Sequence, residues 1–148
     1  GNSLTGMLFE EFVKNKRLAI SASAYYYSDG FGDTSFTISI VPKKEVTLDD
    51  IASHLDKYLH EIEKKIISSD ELTKVKKRLV NETIFAQDSL YMGMRIFGSS
   101  LSTGYSLKDI TDWPKDIQKV SINDLQNILL KIFDLNKSVT GYLIPIKK

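Results

Sequence analysis

Two short stretches with a period of two, joined by a glycine-bearing turn, set the strongest limit on this chain's fold. Leu18, Ile20, Ala22, Ala24 and Tyr26 alternate with Ala19, Ser21, Ser23, Tyr25 and Tyr27, and the first set is the more apolar. Phe36, Ile38 and Ile40 then alternate with Thr37, Ser39 and Val41 up to Pro42, which cannot donate to a ladder. Ser28 to Asp33, carrying Gly30 and Gly32, has turn composition. Two such runs around a short loop predict an antiparallel hairpin.

The rest is mostly helical in pattern. Leu4 to Lys16 reads as a helix with Leu8 and Phe12 on one face. Thr47 caps a helix whose stripe is Leu48, Ile51, Leu55, Tyr58, Leu59 and Ile62. Ser68 and Glu71 form a capping-box pattern. Leu72 to Phe97 hold helical register from there, with a bend at Gln87-Asp88-Ser89, loosening at Gly93 and a stop at Gly98. Ser99 to Gly104 reads as a loop, Ser106 to Thr111 as a short helix ahead of Trp113-Pro114, and Ser121 to Phe133 as a further helix. Ser138 to Ile144 reads as a third strand. The order α-β-β-α-α-α-α-β predicts an α+β fold, an antiparallel sheet of about three strands with helices on one face. The 148 residues suit one domain, 1–148.

Composition excludes several functions. A net charge of +1 gives no electrostatic case for nucleic acid. No apolar run reaches the roughly 20 residues that span a bilayer, and no signal peptide is visible. The absence of cysteine excludes disulfides and thiolate metal sites. His54 and His60 are six residues apart, about 600° of helix rotation, and so point from different faces. Both read as ordinary exposed histidines, and no His-x-x-Glu-His is present. Asp49-Asp50 and Asp70-Glu71 lie in first helical turns, where acids favour the helix dipole. The basic run Lys74 to Arg78 reads as a solvated face, and the hydroxyls of "GSSLSTG" as helix termination rather than an anion cradle. The residues thus predict no catalytic group and no metal ligand.

An ordered set of strings resembles the pitrilysin-like zinc metallopeptidases, the family of insulinase and mitochondrial processing peptidase. These are "LFEEFVKNKRLAISASA", "ISSDELTKVKKRLVNE", "AQDSLYMGMRIFGSSLSTG", "WPKDIQKVSINDLQNI" and "SVTGYLIP". The resemblance lies with the later, non-catalytic domain, especially of bacterial members, and implies that this chain is its C-terminal portion. It implies that catalytic zinc belongs to another domain or subunit of the parent, with none bound here. It implies as partners that zinc-bearing half, a peptide substrate, and a second copy to complete a sheet short of strands. The family pattern Leu-Arg-Glu-x-x-Gly-Leu-Ala-Tyr, whose Arg and Tyr hold substrate main chain, falls on Phe12 to Ile20. Leu18 and Ala19 match, Val13 replaces the Arg, Ile20 replaces the Tyr, and Arg17 takes the Gly position. Val13 and Ile20 have no side-chain donor. The implied substrate-contact positions are therefore Val13 and Ile20 with their neighbours Lys14, Lys16 and Arg17. The parent is expected to be an active peptidase or an inactive partner subunit, and the residues leave its compartment open between bacterial periplasm and cytoplasm. The alternative is a freestanding α+β protein-interaction module.

Overall fold

The computed structural model describes residues 6–26, 30–64, 68–87 and 89–145. The fold is α+β. A helical turn α1, Met7–Phe9, runs into a π-helical segment, Glu10–Asn15. Strands β1, Ala19–Tyr26, and β2, Phe36–Pro42, form a two-stranded antiparallel sheet. Five helices follow: α2 Leu48–Lys64, α3 Ser69–Gln87, α4 Leu90–Ser102, α5 Leu107–Lys119 and α6 Ile122–Ile132, then a 3₁₀ turn at Leu135–Lys137. The chain divides into two compact units. One joins the described parts of Gly1–Tyr26, Ser35–Lys65 and Leu129–Lys148; the other joins those of Tyr27–Thr34 and Ile66–Ile128.

The first unit holds the buried core: Phe12, Ala19, Ala22 and Ile51. Ala22 pairs with Ile40 and Ala24 with Ile38, which lines small and branched side chains on one sheet face. Ser21, Ser23 and Tyr25 occupy the other face and are exposed. Helix α2 brings Ile51, Leu55 and Tyr58 to the core, as its apolar spacing predicts. Thr47 caps it: the Asp50 N–H donates to Thr47 Oγ1 at 3.1 Å, and Thr47 Oγ1 donates to Asp50 Oδ2 at 2.6 Å. The same reciprocal bonds link Ser68 to Glu71, Ser106 to Asp109 and Ser121 to Asp124. The first-turn acids are thus helix starts.

Alternation fails at one place in β1. Ala19 pairs with Pro42 and Ser21 with Val41, so Ile20 is an extra residue without a cross-strand partner. This β-bulge shifts the phase by one. Ala19 and Ala22 are both buried, and Ile20 is 64% exposed instead of sharing the Ala22 face.

In the second unit, α3 packs against α4 and α5. The expected continuous helix from Leu72 to Phe97 is two helices. Ser89 is extended (φ −107°, ψ 112°) and its Oγ accepts the Met92 N–H, so it caps α4 rather than bending α3. Gly98 does not stop the helix, and Ser99–Ser102 belong to α4 rather than to a loop. The stop is Gly104, at φ +92°, with the Tyr105 N–H bonded to Ser100 O at 3.0 Å. Helix α5 also outruns its expected end at Thr111. Pro114 lies inside it on the half-buried stripe Ile110, Pro114 and Ile117, so packing outweighs the ladder bond that proline removes. The predicted third strand, Ser138 to Ile144, pairs with no strand among the described residues. Val139 is 98% and Leu143 95% exposed, and alternation without a neighbouring ladder does not make a strand. Tyr27 to Asp29 of the predicted turn lie outside the described residues.

Candidate functional site

Three backbone irregularities fall within eleven residues, Glu10 to Ile20. The first is the π-helical segment. It widens the helix by one residue per turn, so Phe12 is fully buried while Val13 packs against the same core. The second is its exit. The Lys16 N–H bonds Glu11 O, five residues back, and the Leu18 N–H bonds Phe12 O, each at 2.9 Å. Between them Arg17 takes φ +54°, left-handed and unusual for a residue with a Cβ. Gly104 makes the equivalent turn at the end of α4, where glycine bears no such cost. The third is the bulge at Ile20. π-turns, strained residues and bulges all gather at functional sites, because each fixes a geometry that regular structure does not offer.

The side chains beneath this segment hold it to α2. His54 Nε2 lies 2.9 Å from Glu11 Oε1, with both side chains largely covered. The Phe12 ring meets His54 edge-on at 5.1 Å and Tyr58 at 5.8 Å. The Tyr58 hydroxyl donates to Met7 O at 3.2 Å. Burial first, then the negative charges of Glu11, Glu10 and Glu61, push the Tyr58 phenol above its ordinary value. His54 is therefore a half-buried, partnered residue and not the ordinary exposed histidine expected; His60 is exposed. Lone histidines give no sequence sign of a contact 43 residues away.

The five sequence-selected positions separate into two kinds. Val13 is half-buried and packed on the core. Lys14, Lys16, Arg17 and Ile20 are exposed. Lys14 reaches Glu10 at 3.8 Å and sits 5.9 Å from the centre of the Phe9 ring. The exposed set forms the outward side of the irregular segment, and Val13 forms part of its inner side.

Elsewhere the candidate chemistry resolves into structure. The Ser99, Ser102 and Thr103 hydroxyls donate to helix carbonyls, a common use of such groups in helices. Lys74 pairs with Asp70 at 2.6 Å, Arg78 approaches Glu82 at 3.7 Å, and Lys76 Nζ donates to Gln118 O at 2.7 Å. The basic run thus serves α3 and its contact with α5. Among the described residues no three His, Cys, Asp or Glu side chains gather as a metal site, and no helix is long and apolar enough to cross a membrane. The second unit has an open cleft of about 710 Å³ bordered by Leu79, Phe97, Tyr105, Ile110 and Trp113.

The chain matches no protein-family model, and no curated protein matches it. Its fold does match a solved structure: a protease from Helicobacter pylori, with a TM-score of 0.78 and 20% identity over 88% of this chain. The match takes in 31% of the protease chain, so this chain corresponds to about a third of that molecule. What the likeness establishes is a shared fold with part of a protease.

Proposed function

We propose that this chain is a non-catalytic, C-terminal domain segment of a pitrilysin- or processing-peptidase-like zinc metalloprotease. It would form chamber wall and a surface for substrate or partner. The observation that carries the reading is the fold match over 88% of this chain to 31% of a protease. This sequence has no His-x-x-Glu-His, the motif of such enzymes; on this reading zinc and the catalytic base would belong to the other part of the parent. The irregular segment from Glu10 to Ile20 is then the substrate-facing element. Its contact is made by Lys14, Lys16, Arg17 and Ile20, with Val13 as packing support.

Unsatisfied surface supports a need for partners. Phe85, Leu90 and Tyr91 of the second unit are 73%, 82% and 69% exposed, and Leu143 of the first is 95% exposed, large apolar side chains that a partner would cover. Each strand of the two-stranded sheet also has an edge with no strand partner among the described residues. The zinc-bearing half of the parent would cover part of this surface, and a second copy would do so in the isolated chain. Light scattering across a concentration series tests the second point, and a constant monomer mass removes it.

The test of the function is recombination. The zinc-bearing part of the parent, mixed with this chain, is expected to bind it and to cleave an unfolded peptide faster than alone. Unchanged cleavage together with no association overturns the reading. It would favour the freestanding interaction module instead.

A further inference from the structure

We propose that the open end of the hairpin, around the bulge, is a docking surface for an extended acidic peptide that carries apolar side chains. The topology gathers its charges from two segments distant in sequence. The Lys43 N–H bonds Leu18 O at 3.0 Å, and Ala19 pairs with Pro42. Lys43 and Lys44 are thereby brought beside Lys16 and Arg17. Lys16, Arg17 and Lys44 are exposed and Lys43 is half-buried. None of the four has an ion-pair partner among the described residues. Of the nearby carboxylates, Glu10 is paired with the Lys14 cation, and Glu11 is hydrogen-bonded to the His54 ring. Glu45 is the one further acid in these two segments. With histidine counted neutral, Lys16, Arg17, Lys43 and Lys44 stand against Glu11 and Glu45, which leaves a local surplus of two positive charges on a chain whose net charge is only +1.

The same end is apolar at its centre. The bulge leaves Ile20 64% exposed, and Val41, opposite Ser21 in the register, is 48% exposed. A ligand that satisfies both features carries carboxylates beside branched apolar side chains. The adjacent sheet edge favours an extended ligand, because a strand adds to an unpaired edge through main-chain hydrogen bonds. Nucleic acid fits less well. Phe12 is the one aromatic residue in these two segments and it is buried, so no platform exists for base stacking. A membrane fits less well because two apolar side chains offer little area for insertion. The Arg17 backbone is held at φ +54° by the bonds on either side, so little backbone order is lost there when a ligand binds.

The biological setting of this surface rests on the peptidase reading, whereas the binding itself does not. The experiment is fluorescence anisotropy of the intact chain with a labelled peptide of alternating Glu and Val. Controls are the same peptide with Lys or Gln at every Glu position, an RNA oligonucleotide, and vesicles containing phosphatidylserine. The acidic peptide is expected to bind, with its Kd rising between about 50 and 300 mM salt as the charges are screened. The Lys peptide is expected not to bind. Lys16→Gln with Lys44→Gln should weaken acidic-peptide binding about tenfold, from about fivefold for each rim charge discounted for overlap. Ile20→Asp should weaken it at least as much, with circular dichroism confirming that each variant is folded. Equal binding of the Lys peptide, no binding of the acidic one, unchanged affinity in the Gln variants, or tighter binding of RNA or vesicles each overturns the proposal. Those outcomes leave zinc-dependent cleavage by the parent untouched. Failure of that cleavage would in turn leave peptide binding by this chain intact.

Discussion

Arg17 offers a direct test of the claim that this chain holds strain next to its candidate site. At φ +54° an L-residue crowds its Cβ against the backbone, at a cost of about 1–2 kcal/mol. Glycine avoids that cost but loses about 0.5–1 kcal/mol more conformational entropy on folding. Arg17→Gly is therefore expected to change stability by between about 0 and +1.5 kcal/mol. Arg17→Asn, tolerant of the left-handed region, should fall close to it. Arg17→Ala keeps the strain and removes the charge, and is expected to match the parent chain because the guanidinium has no ion-pair partner among the described residues. Arg17→Val places a branched Cβ in the same conformation and should cost about 1–2 kcal/mol more. Urea unfolding followed by circular dichroism reads these differences. With a slope of about 2 kcal/mol/M, a 1 kcal/mol change moves the midpoint by about 0.5 M. The expected order of midpoints is Gly and Asn, then Arg and Ala, then Val. A Val variant as stable as Ala, or a Gly variant clearly below Ala, would refute the reasoning.

Phe12 is the largest fully buried side chain among the described residues and packs with Ala19, Ala22 and Ile51, so Phe12→Ala is expected to cost about 3–5 kcal/mol. A loss under about 1 kcal/mol in thermal or urea unfolding would mean the π-helical segment is not anchored as described. Asp109 and Asp124 are held below the usual carboxylate range by hydrogen bonds from Ser106 and Ser121, side chain first and then backbone. Their folded values lie below the unfolded one, so their contribution is present above the unfolded value and lost as pH falls through the folded one. Asp109→Asn with Asp124→Asn should therefore flatten the acid limb of the unfolding midpoint from about pH 4 downward, where an unchanged slope would contradict the caps' role. Ser89→Ala should cost about 1 kcal/mol through loss of the α4 cap, read as lower helical content or a lower midpoint.

Elements governed by local chemistry were legible in the sequence. The hairpin followed from alternation, α2 from its stripe, and four helix starts from the hydroxyl residues Thr47, Ser68, Ser106 and Ser121 that open them. Elements governed by neighbours were not. The bulge at Ile20 leaves the residue types unchanged and shifts only their pairing, so strict alternation assigned Ile20 to the wrong face. The π-turn likewise reads as ordinary helix, since its apolar residues are compatible with either period. Gly98 resembles a stop but lies inside α4, because Gly104 six residues later supplies the left-handed turn. Pro114 resembles a break but lies on the packed stripe of α5. At the candidate site, Lys14, Lys16 and Arg17 were visible as a basic turn. The added cations Lys43 and Lys44 were not, because only the strand pairing brings them alongside. His54 was missed for the same reason, its partner Glu11 belonging to a different element.

We propose that this chain is part of a protease whose zinc chemistry would lie in another part of the parent. Cleavage of an unfolded peptide by the full-length parent, with and without chelator and beside the 148-residue chain alone, tests it most directly. The account predicts zinc-dependent cleavage by the parent, alone or with its companion subunit, and neither zinc uptake nor cleavage by this chain. Zinc-dependent cleavage by the isolated chain, or a parent inactive under both conditions, would contradict it.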